Sequence, residues 1–188
     1  EKLKILVHQL FVEMGYHGST LDYSHPSNSY INEVMDDKEG LPITLSVLFI
    51  ELANRLELPV SGLGLPGHFI AMYRDESKNK SREILVDPFG GKIVSRKEAS
   101  QITGLRLSEK DFQPSSKKDI ITRMLRNLIQ SASTNGDAST RLLYTNAILG
   151  IDPNWDKDKI KKHLRELFKK YTARSTTVPE GPERENAQ

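Results

Sequence analysis

The fold of this chain is decided by residues 40–65, which read GLPITLSVLFIELANRLELPVSGLGL. The first half predicts a helix that opens at Pro42 and runs to about Glu57, because proline at the first helical position needs no N–H partner. This helix is apolar on nearly every face, as is typical of a helix at the centre of a core. From Pro59 the pattern changes to the two-residue period of a β-strand. The stretch therefore predicts an α+β fold.

Short strands follow this stretch, and helices precede it. The predicted strands are separated by glycine-, proline- or charge-rich connections and occupy residues 60–65, 69–73, 84–86 and 92–94. Apolar residues at three- and four-residue spacing predict a first helix from Leu3 to Met14, and Ser27 or Asn28 is predicted to cap a short helix toward Met35. We therefore expect helices packed on a small antiparallel sheet.

The sequence divides into two parts and a tail. Residues 1–114 form the α+β part, and because Glu1 is not an initiator methionine we expect this part to be N-terminally truncated. Residues 115–172 carry three apolar helix faces, broken by turn residues at 135–137 and 152–154, and predict three antiparallel helices. Residues 173–188 contain almost nothing apolar, which predicts a disordered tail.

The composition excludes several classes of function. The 188 residues include 27 basic and 25 acidic ones, a balance too even to indicate binding to nucleic acid or to a membrane surface. No apolar run approaches the ~20 residues that span a bilayer, and nothing near the N-terminus resembles a signal segment. We expect a cytoplasmic protein with a protein or peptide partner, while the oligomeric state is left open.

Two polar residues at strand ends are candidates for chemistry. His68 follows a Pro-Gly pair at the start of one strand, and Asp87 ends the following strand. In an antiparallel hairpin the start of one strand lies beside the end of the next, so we expect the two side chains to be neighbours. An aspartate that accepts from one ring nitrogen leaves the other nitrogen for chemistry or binding. A capped turn without a catalytic role is the alternative.

The remaining histidines do not predict a metal site. His8, His17 and His25 lie near the first helix and the loop after it, but their spacing matches no helical metal pair and no ligand cluster. The chain also lacks cysteine, which excludes disulfides and thiolate ligands. We therefore expect neither a metal nor another cofactor.

Four motifs follow one another along the first part of the chain. They are Asn28-Ser29-Tyr30-Ile31-Asn32, Gly40-Leu41-Pro42-Ile43-Thr44-Leu45, Leu65-Pro66-Gly67-His68-Phe69 and Asp87-Pro88-Phe89-Gly90-Gly91. In this order they resemble the transglutaminase-like superfamily, bacterial Sir-B type, and also a region of an F-box ubiquitin-ligase subunit. The resemblance implies a papain-like core with a site made of cysteine, histidine and aspartate. It further implies a tetratricopeptide-like C-terminal region, in which residues 143–153 belong to one degenerate repeat.

Carried onto this sequence, the resemblance assigns the histidine to His68 and the aspartate to Asp87, and it places the cysteine position on or beside Pro42. Because proline offers no nucleophile and the chain has no cysteine, cysteine-dependent transglutaminase or protease activity is excluded. The resemblance therefore implies a catalytically degenerate domain that acts as a protein- or peptide-binding module. Its binding cleft is expected to include Asn28, Asn32, Pro42, Gly67, Phe69 and Phe89.

An enzyme of another kind is the alternative hypothesis. His68, oriented by Asp87, would act as the base of a hydrolase or acyl transferase, with water or Thr44 as nucleophile. Thr44 lies in the first turn of the central helix, where the helix dipole favours negative charge. A residue two positions along a helix, however, points roughly 200° away from the one it would replace. Capping or core packing is the other explanation of Thr44.

Overall fold

A computed structural model gives the structure of this chain, and it describes residues 1–75 and 82–153 together with Trp155, Lys161, Arg165 and Lys169. These residues form a mixed helical and β-sheet fold, as predicted. None of the helices they form combines the length and apolarity needed to cross a bilayer.

The N-terminal elements are short and lead into one long helix. In chain order they are α1 (Lys2–His8), a π-helical segment (Gln9–Glu13), β1 (His17–Gly18), a 3₁₀ helix (Pro26–Ser29), α2 (Ile31–Asp37), β2 (Glu39–Gly40) and α3 (Pro42–Arg55). β1 and β2 pair in parallel. The predicted first helix therefore changes its winding after His8 before the chain turns at Gly15, which has a φ of +75°.

The cap predicted for the second helix is wrong. Ser27 and Asn28 lie inside the 3₁₀ helix, and the N-cap of α2 is Tyr30. The proline at position 26 explains the difference, because it pre-forms a tight turn before the helix begins.

The central helix is confirmed with proline at its first position. Leu45, Phe49 and Ala53 of α3 are buried and pack with apolar residues of α1 and the sheet. The sheet has the order β3-β4-β5-β6, with all neighbours antiparallel, and its strands are Val60–Leu65, His68–Asp75, Arg82–Asp87 and Lys92–Val94. One face of the sheet lies on α3, and the core sits between them.

The opposite face of the sheet is covered by elements that follow β6. They are α4 (Arg96–Thr103) and a 3₁₀ helix (Glu109–Phe112), and Ala99 and Phe112 bury the sheet residues Ile70, Met72 and Leu85. A capping box opens α4, since the Ser95 hydroxyl accepts from the backbone N–H of Glu98 and the Glu98 carboxylate accepts from the backbone N–H of Ser95. Both faces of the sheet are therefore covered, which fixes its alternating register.

Two further helices, α5 (Lys117–Thr134) and α6 (Ala138–Ile151), pack against each other across the predicted break at residues 135–137. They also contact the first part of the chain. The Ser131 hydroxyl donates to the carbonyl of Ser24 at 2.8 Å, and the hydroxyls of Tyr30 and Tyr144 lie 2.7 Å apart. The apolar residues of the third predicted helix lie outside the described residues; they are Ile160, Leu164, Leu167 and Phe168. The predicted tail also lies outside them. The division at residue 114 stays a prediction.

Candidate functional site

The structure places His68 and Asp87 in direct contact. Nε2 of His68 lies 2.9 Å from Oδ1 of Asp87, and only 8% and 3% of the two residues are exposed. His68 is the first residue of β4 and Asp87 the last of β5, so the antiparallel pairing of the two strands brings them together. Within the described residues Nδ1 of His68 has no hydrogen-bonding partner. The arrangement holds an imidazole by one nitrogen only.

Turn residues fix both members of the pair. Pro66 and Gly67 close the β3–β4 hairpin, and the positive φ of Gly67, +68°, suits a turn that proline has opened. After β5 the chain turns again, and the backbone N–H of Phe89 donates to Oδ1 of Asp87 at 3.2 Å. The same carboxylate oxygen therefore binds the imidazole and closes a turn.

An aromatic wall stands beside His68. The rings of His68 and Phe89 meet edge to face at 5.9 Å, and Tyr23 contacts Phe89 at 6.3 Å. Gly18 lies under the Phe89 ring so closely that a Cβ at this position would be 2.4 Å from it. The Gly18 N–H also donates to the carbonyl of Phe89. β1 therefore fixes the ring of Phe89 against the imidazole.

The N-terminus of α3 completes the site, but it carries no nucleophile. Pro42 is buried, and the preceding N–H of Leu41 donates to the carbonyl of Asn28 at 3.1 Å. One turn later, the Ser46 hydroxyl donates to the carbonyl of Phe69 at 3.2 Å. Because residues four apart share a helix face, Pro42 lies on the side of α3 that faces the start of β4. This is where the resemblance expects the cysteine.

Thr44 lies two residues further along, and its side chain is fully buried. Its hydroxyl has no hydrogen-bonding partner among the described residues. A nucleophile must be reached by its substrate, and the burial of Thr44 leaves no approach to its oxygen. The geometry therefore gives Thr44 the surroundings of a core residue.

The other predicted cleft residues have different surroundings. The Asn28 amide donates to the carbonyls of Asp22 and Tyr23, and it shapes the loop beside Phe89. Asn32 is exposed and binds the neighbouring Glu33 at 2.8 Å. Gly67 is exposed at the hairpin tip, whereas Phe69 is only 1% exposed and its ring packs over Gly62. Of the predicted cleft residues, Phe89 contacts both members of the pair, through its ring with His68 and through its backbone N–H with Asp87.

Arg123 of α5 is a residue of the site that the sequence did not indicate. Its guanidinium donates to the carbonyl of Leu65 at 3.1 Å and to that of His68 at 2.8 Å, across the hairpin tip. Burial lowers the pKa of Arg123, the nearby Tyr23 raises it, and the charge of Arg126 lowers it again. Burial also raises the pKa of Tyr23. The sequence around an arginine on the polar face of a helix does not indicate that its side chain will bind a hairpin distant in the chain.

Among the described residues, no group of three or more acidic or histidine side chains is arranged to hold a metal ion. The three N-terminal histidines have local partners. His8 contacts Glu13 at 3.1 Å, His17 contacts the carbonyl of Gly18, and His25 accepts from the N–H of Ser27. Each of these three imidazole rings therefore has a partner within the protein.

A central helix packed on a sheet, with a histidine and an aspartate brought together by adjacent strands, is the arrangement that the resemblance implies for a transglutaminase-like protein. A family model described as "Transglutaminase-like superfamily" matches residues 1–126. The chain belongs to this superfamily.

Relatives come from bacteria and animals. A "UPF0162 protein" of Xylella fastidiosa strain 9a5c is 30% identical over 165 residues, which cover 81% of this chain and 57% of the relative. Human "F-box only protein 21" is 26% identical over 140 residues, which cover 71% of this chain and 22% of that protein. The chain therefore spans little more than half the length of the first relative. No solved structure gives a significant match.

Proposed function

We propose that this chain is a catalytically degenerate transglutaminase-like domain of the bacterial Sir-B type that binds a protein or peptide segment. The observation that carries this proposal is the buried His68–Asp87 pair, 2.9 Å apart, on a sheet that packs against α3, the helix that begins at Pro42. Without a cysteine the thiol chemistry of the superfamily is unavailable. We therefore propose binding as the use of the surface beside this pair.

The surface next to the pair has the composition of a recognition site. Leu21 is fully exposed, and Tyr23, in contact with Phe89, is 48% exposed. Exposed aromatic and aliphatic side chains beside a few polar atoms are characteristic of the centre of protein interfaces. The free Nδ1 of His68 adds one polar atom that can pair with a peptide group.

The helices after residue 114 extend this surface in the proposal. α5 already contacts the loop that carries Tyr23 through the Ser131–Ser24 hydrogen bond, and α6 contacts Tyr30 through Tyr144. We assign α5 and α6 to a tetratricopeptide-like region and the protein to the cytoplasm.

Binding is tested by titrating the isotope-labelled full chain with pooled peptide libraries and following backbone amide signals by NMR. The proposal expects shifts centred on His68 and Phe89. Leu21→Ala is expected to weaken binding about five- to tenfold, the cost of truncating an interface residue. Leu105→Ala is the matched control, because Leu105 is a 54% exposed leucine that follows α4. Equal losses in both variants would contradict the assigned surface.

A hydrolase that uses water is the second candidate, and the orientation of His68 favours it. Asp87 contacts Nε2, so a neutral imidazole presents Nδ1 as the base. Hydrolysis of ester and amide substrate libraries is measured with the chain and with His68→Ala. Turnover that disappears in His68→Ala would establish this candidate and overturn a purely binding role.

A further inference from the structure

A polar groove lies between the tip of the β3–β4 hairpin and α5. It has a volume of about 730 Å³ and is lined on one side by residues 64–67 and on the other by a polar face of α5. We call it the arginine groove, after Arg123 and Arg126 in its wall. Arg123 in this wall donates to the carbonyl of His68, so the groove lies beside the binding site proposed above.

The arginine groove carries positive charge without a paired anion. Within the described residues neither Arg123 nor Arg126 forms an ion pair. Arg123 uses its guanidinium on two backbone carbonyls, and Arg126 is exposed in the same wall. Asp119, the acidic residue of the wall, accepts from the Ser116 hydroxyl at 2.6 Å in a capping box. A partly buried charge without a counterion favours binding of an anion.

The neutral side chains of the groove fit a peptide. Asn127 and Gln130 follow Arg123 on the same face of α5, at spacings of four and three residues. Their amides each offer both a donor and an acceptor, the set that pairs with a peptide backbone. A ligand in the groove can therefore use an extended backbone together with one negative group.

We propose that the arginine groove binds an acidic side chain of the same peptide segment that occupies the His68–Phe89 site. This inference rests on the proposed function and names its ligand: a peptide with a glutamate or aspartate beside the residue at His68. Arg126 holds the carboxylate, Asn127 and Gln130 hold the backbone, and Arg123 fixes the hairpin tip. Two arginines and one aspartate leave a net charge of about +1 in the groove, which a single carboxylate neutralises.

The test uses the full chain and blocked heptapeptide pools in which one position is fixed as Glu, Gln or Lys. We expect the Glu pool to bind about tenfold tighter than the Gln pool, the factor that one charge-assisted hydrogen bond supplies. Arg126→Gln is expected to reduce this preference to about twofold or less, and Arg126→Glu to reverse it toward the Lys pool. Arg106→Gln, at an exposed arginine outside the groove, is expected to leave the preference unchanged.

The outcomes separate this inference from the proposed function. If the pools bind and shift the NMR signals of His68 but the Glu pool binds no tighter than the others, the proposal of an acidic ligand is overturned. The proposed binding role then stands. Failure of every pool to bind overturns both. Inorganic phosphate that shifts the Arg126 signals at lower concentration than the Glu pool overturns the choice of a peptide. A preference for Glu that survives in Arg126→Gln overturns the placement in this groove.

Discussion

The two sides of the candidate site differ in how tightly each is tied to the fold. On the strand side, Asp87 binds both the His68 ring and the backbone N–H of Phe89. On the helix side, Pro42 occupies the first position of α3, where no N–H partner is needed. The helix side can therefore change its side chain at small cost, whereas the strand side cannot.

This difference fits the proposal that the polar pair serves without a nucleophile. The carboxylate of Asp87 closes the turn after β5, and a Cβ at Gly90 would lie only 2.6 Å from its Oδ2. The pair is part of the structure of the sheet end as well as part of the site. Retention of histidine and aspartate therefore does not by itself indicate catalysis.

The largest effect is expected for Asp87→Ala. It removes the acceptor for two buried donors, and we expect the free energy of unfolding to fall by about 3 kcal/mol. Urea unfolding measures this as a lower midpoint with an unchanged slope. Asp87→Asn is the matched control, because its carbonyl oxygen keeps one acceptor, and it is expected to cost about 1 kcal/mol. A fall of less than about 1 kcal/mol in the free energy of unfolding of Asp87→Ala would contradict a structural role of the pair.

Gly18→Ala tests the aromatic wall. Its Cβ would lie 2.4 Å from the ring of Phe89, so the ring has to move away from His68, at a cost of about 2 kcal/mol. Thermal or urea unfolding gives the cost, and the NMR signals of the His68 ring report the displacement. Gly150→Ala in α6 is the control, because nothing lies within 4 Å of its Cβ, and it is expected to stabilise the chain by about 0.5–1 kcal/mol. Unchanged NMR signals of the His68 ring in Gly18→Ala would contradict the claim that Gly18 holds the Phe89 ring against His68.

A partly buried charge cluster at the other end of β5 provides a contrast with the buried pair. Burial alone would raise the pKa of Glu83, but Arg96 and Arg74, at 3.1 and 3.4 Å, together lower it. A lowered folded-state pKa stabilises the fold above the unfolded pKa, and this stability is lost as pH falls through the folded value. We expect Glu83→Gln to cost about 0.5–1 kcal/mol near neutral pH, because Arg96 is partly exposed.

The difference between Glu83→Gln and the unchanged chain is expected to vanish in acid, where Glu83 itself is protonated. Urea unfolding at a series of pH values measures it. Glu109→Gln serves as a control, because Glu109 contacts Arg96 from an 82% exposed position and should contribute less. A difference that grows in acid would show that the sign of the Glu83 shift is wrong.

The smallest effect is expected on the helix side. Pro42→Ala keeps the helical conformation and loses mainly the restriction that proline imposes on the unfolded chain, about 0.5 kcal/mol. Urea unfolding compares it directly with Asp87→Ala. A cost for Pro42→Ala as large as that for Asp87→Ala would erase the difference between the two sides.

Much of the fold could be predicted from the sequence because its signals are local. Pro42 marks the start of α3, and alternating residues mark the strands. The predicted N-cap of α2 was wrong, because Pro26 begins a 3₁₀ turn and moves the N-cap of the helix to Tyr30. Contacts between distant segments, such as Ser131 with Ser24, have no local signature and left the packing of α5 unpredicted.

The site shows the same division. His68 and Asp87 were indicated by their positions at strand ends, since antiparallel pairing follows from the chain order. Gly18, Tyr23 and Arg123 were missed, because their roles come from tertiary contacts with Phe89 and with the hairpin tip. A buried arginine that donates to two carbonyls has the same residue type and spacing as an exposed one.

The central claim is that Pro42 stands where a thiol would meet an otherwise intact histidine–aspartate pair. Pro42→Cys tests it directly, because the chain has no other cysteine and the ultraviolet absorbance of its thiolate can be titrated. We predict a thiol pKa well below the ordinary value of about 8.5 in Pro42→Cys, and a return toward that value in Pro42→Cys/His68→Ala. The same thiol pKa in both variants would contradict the account.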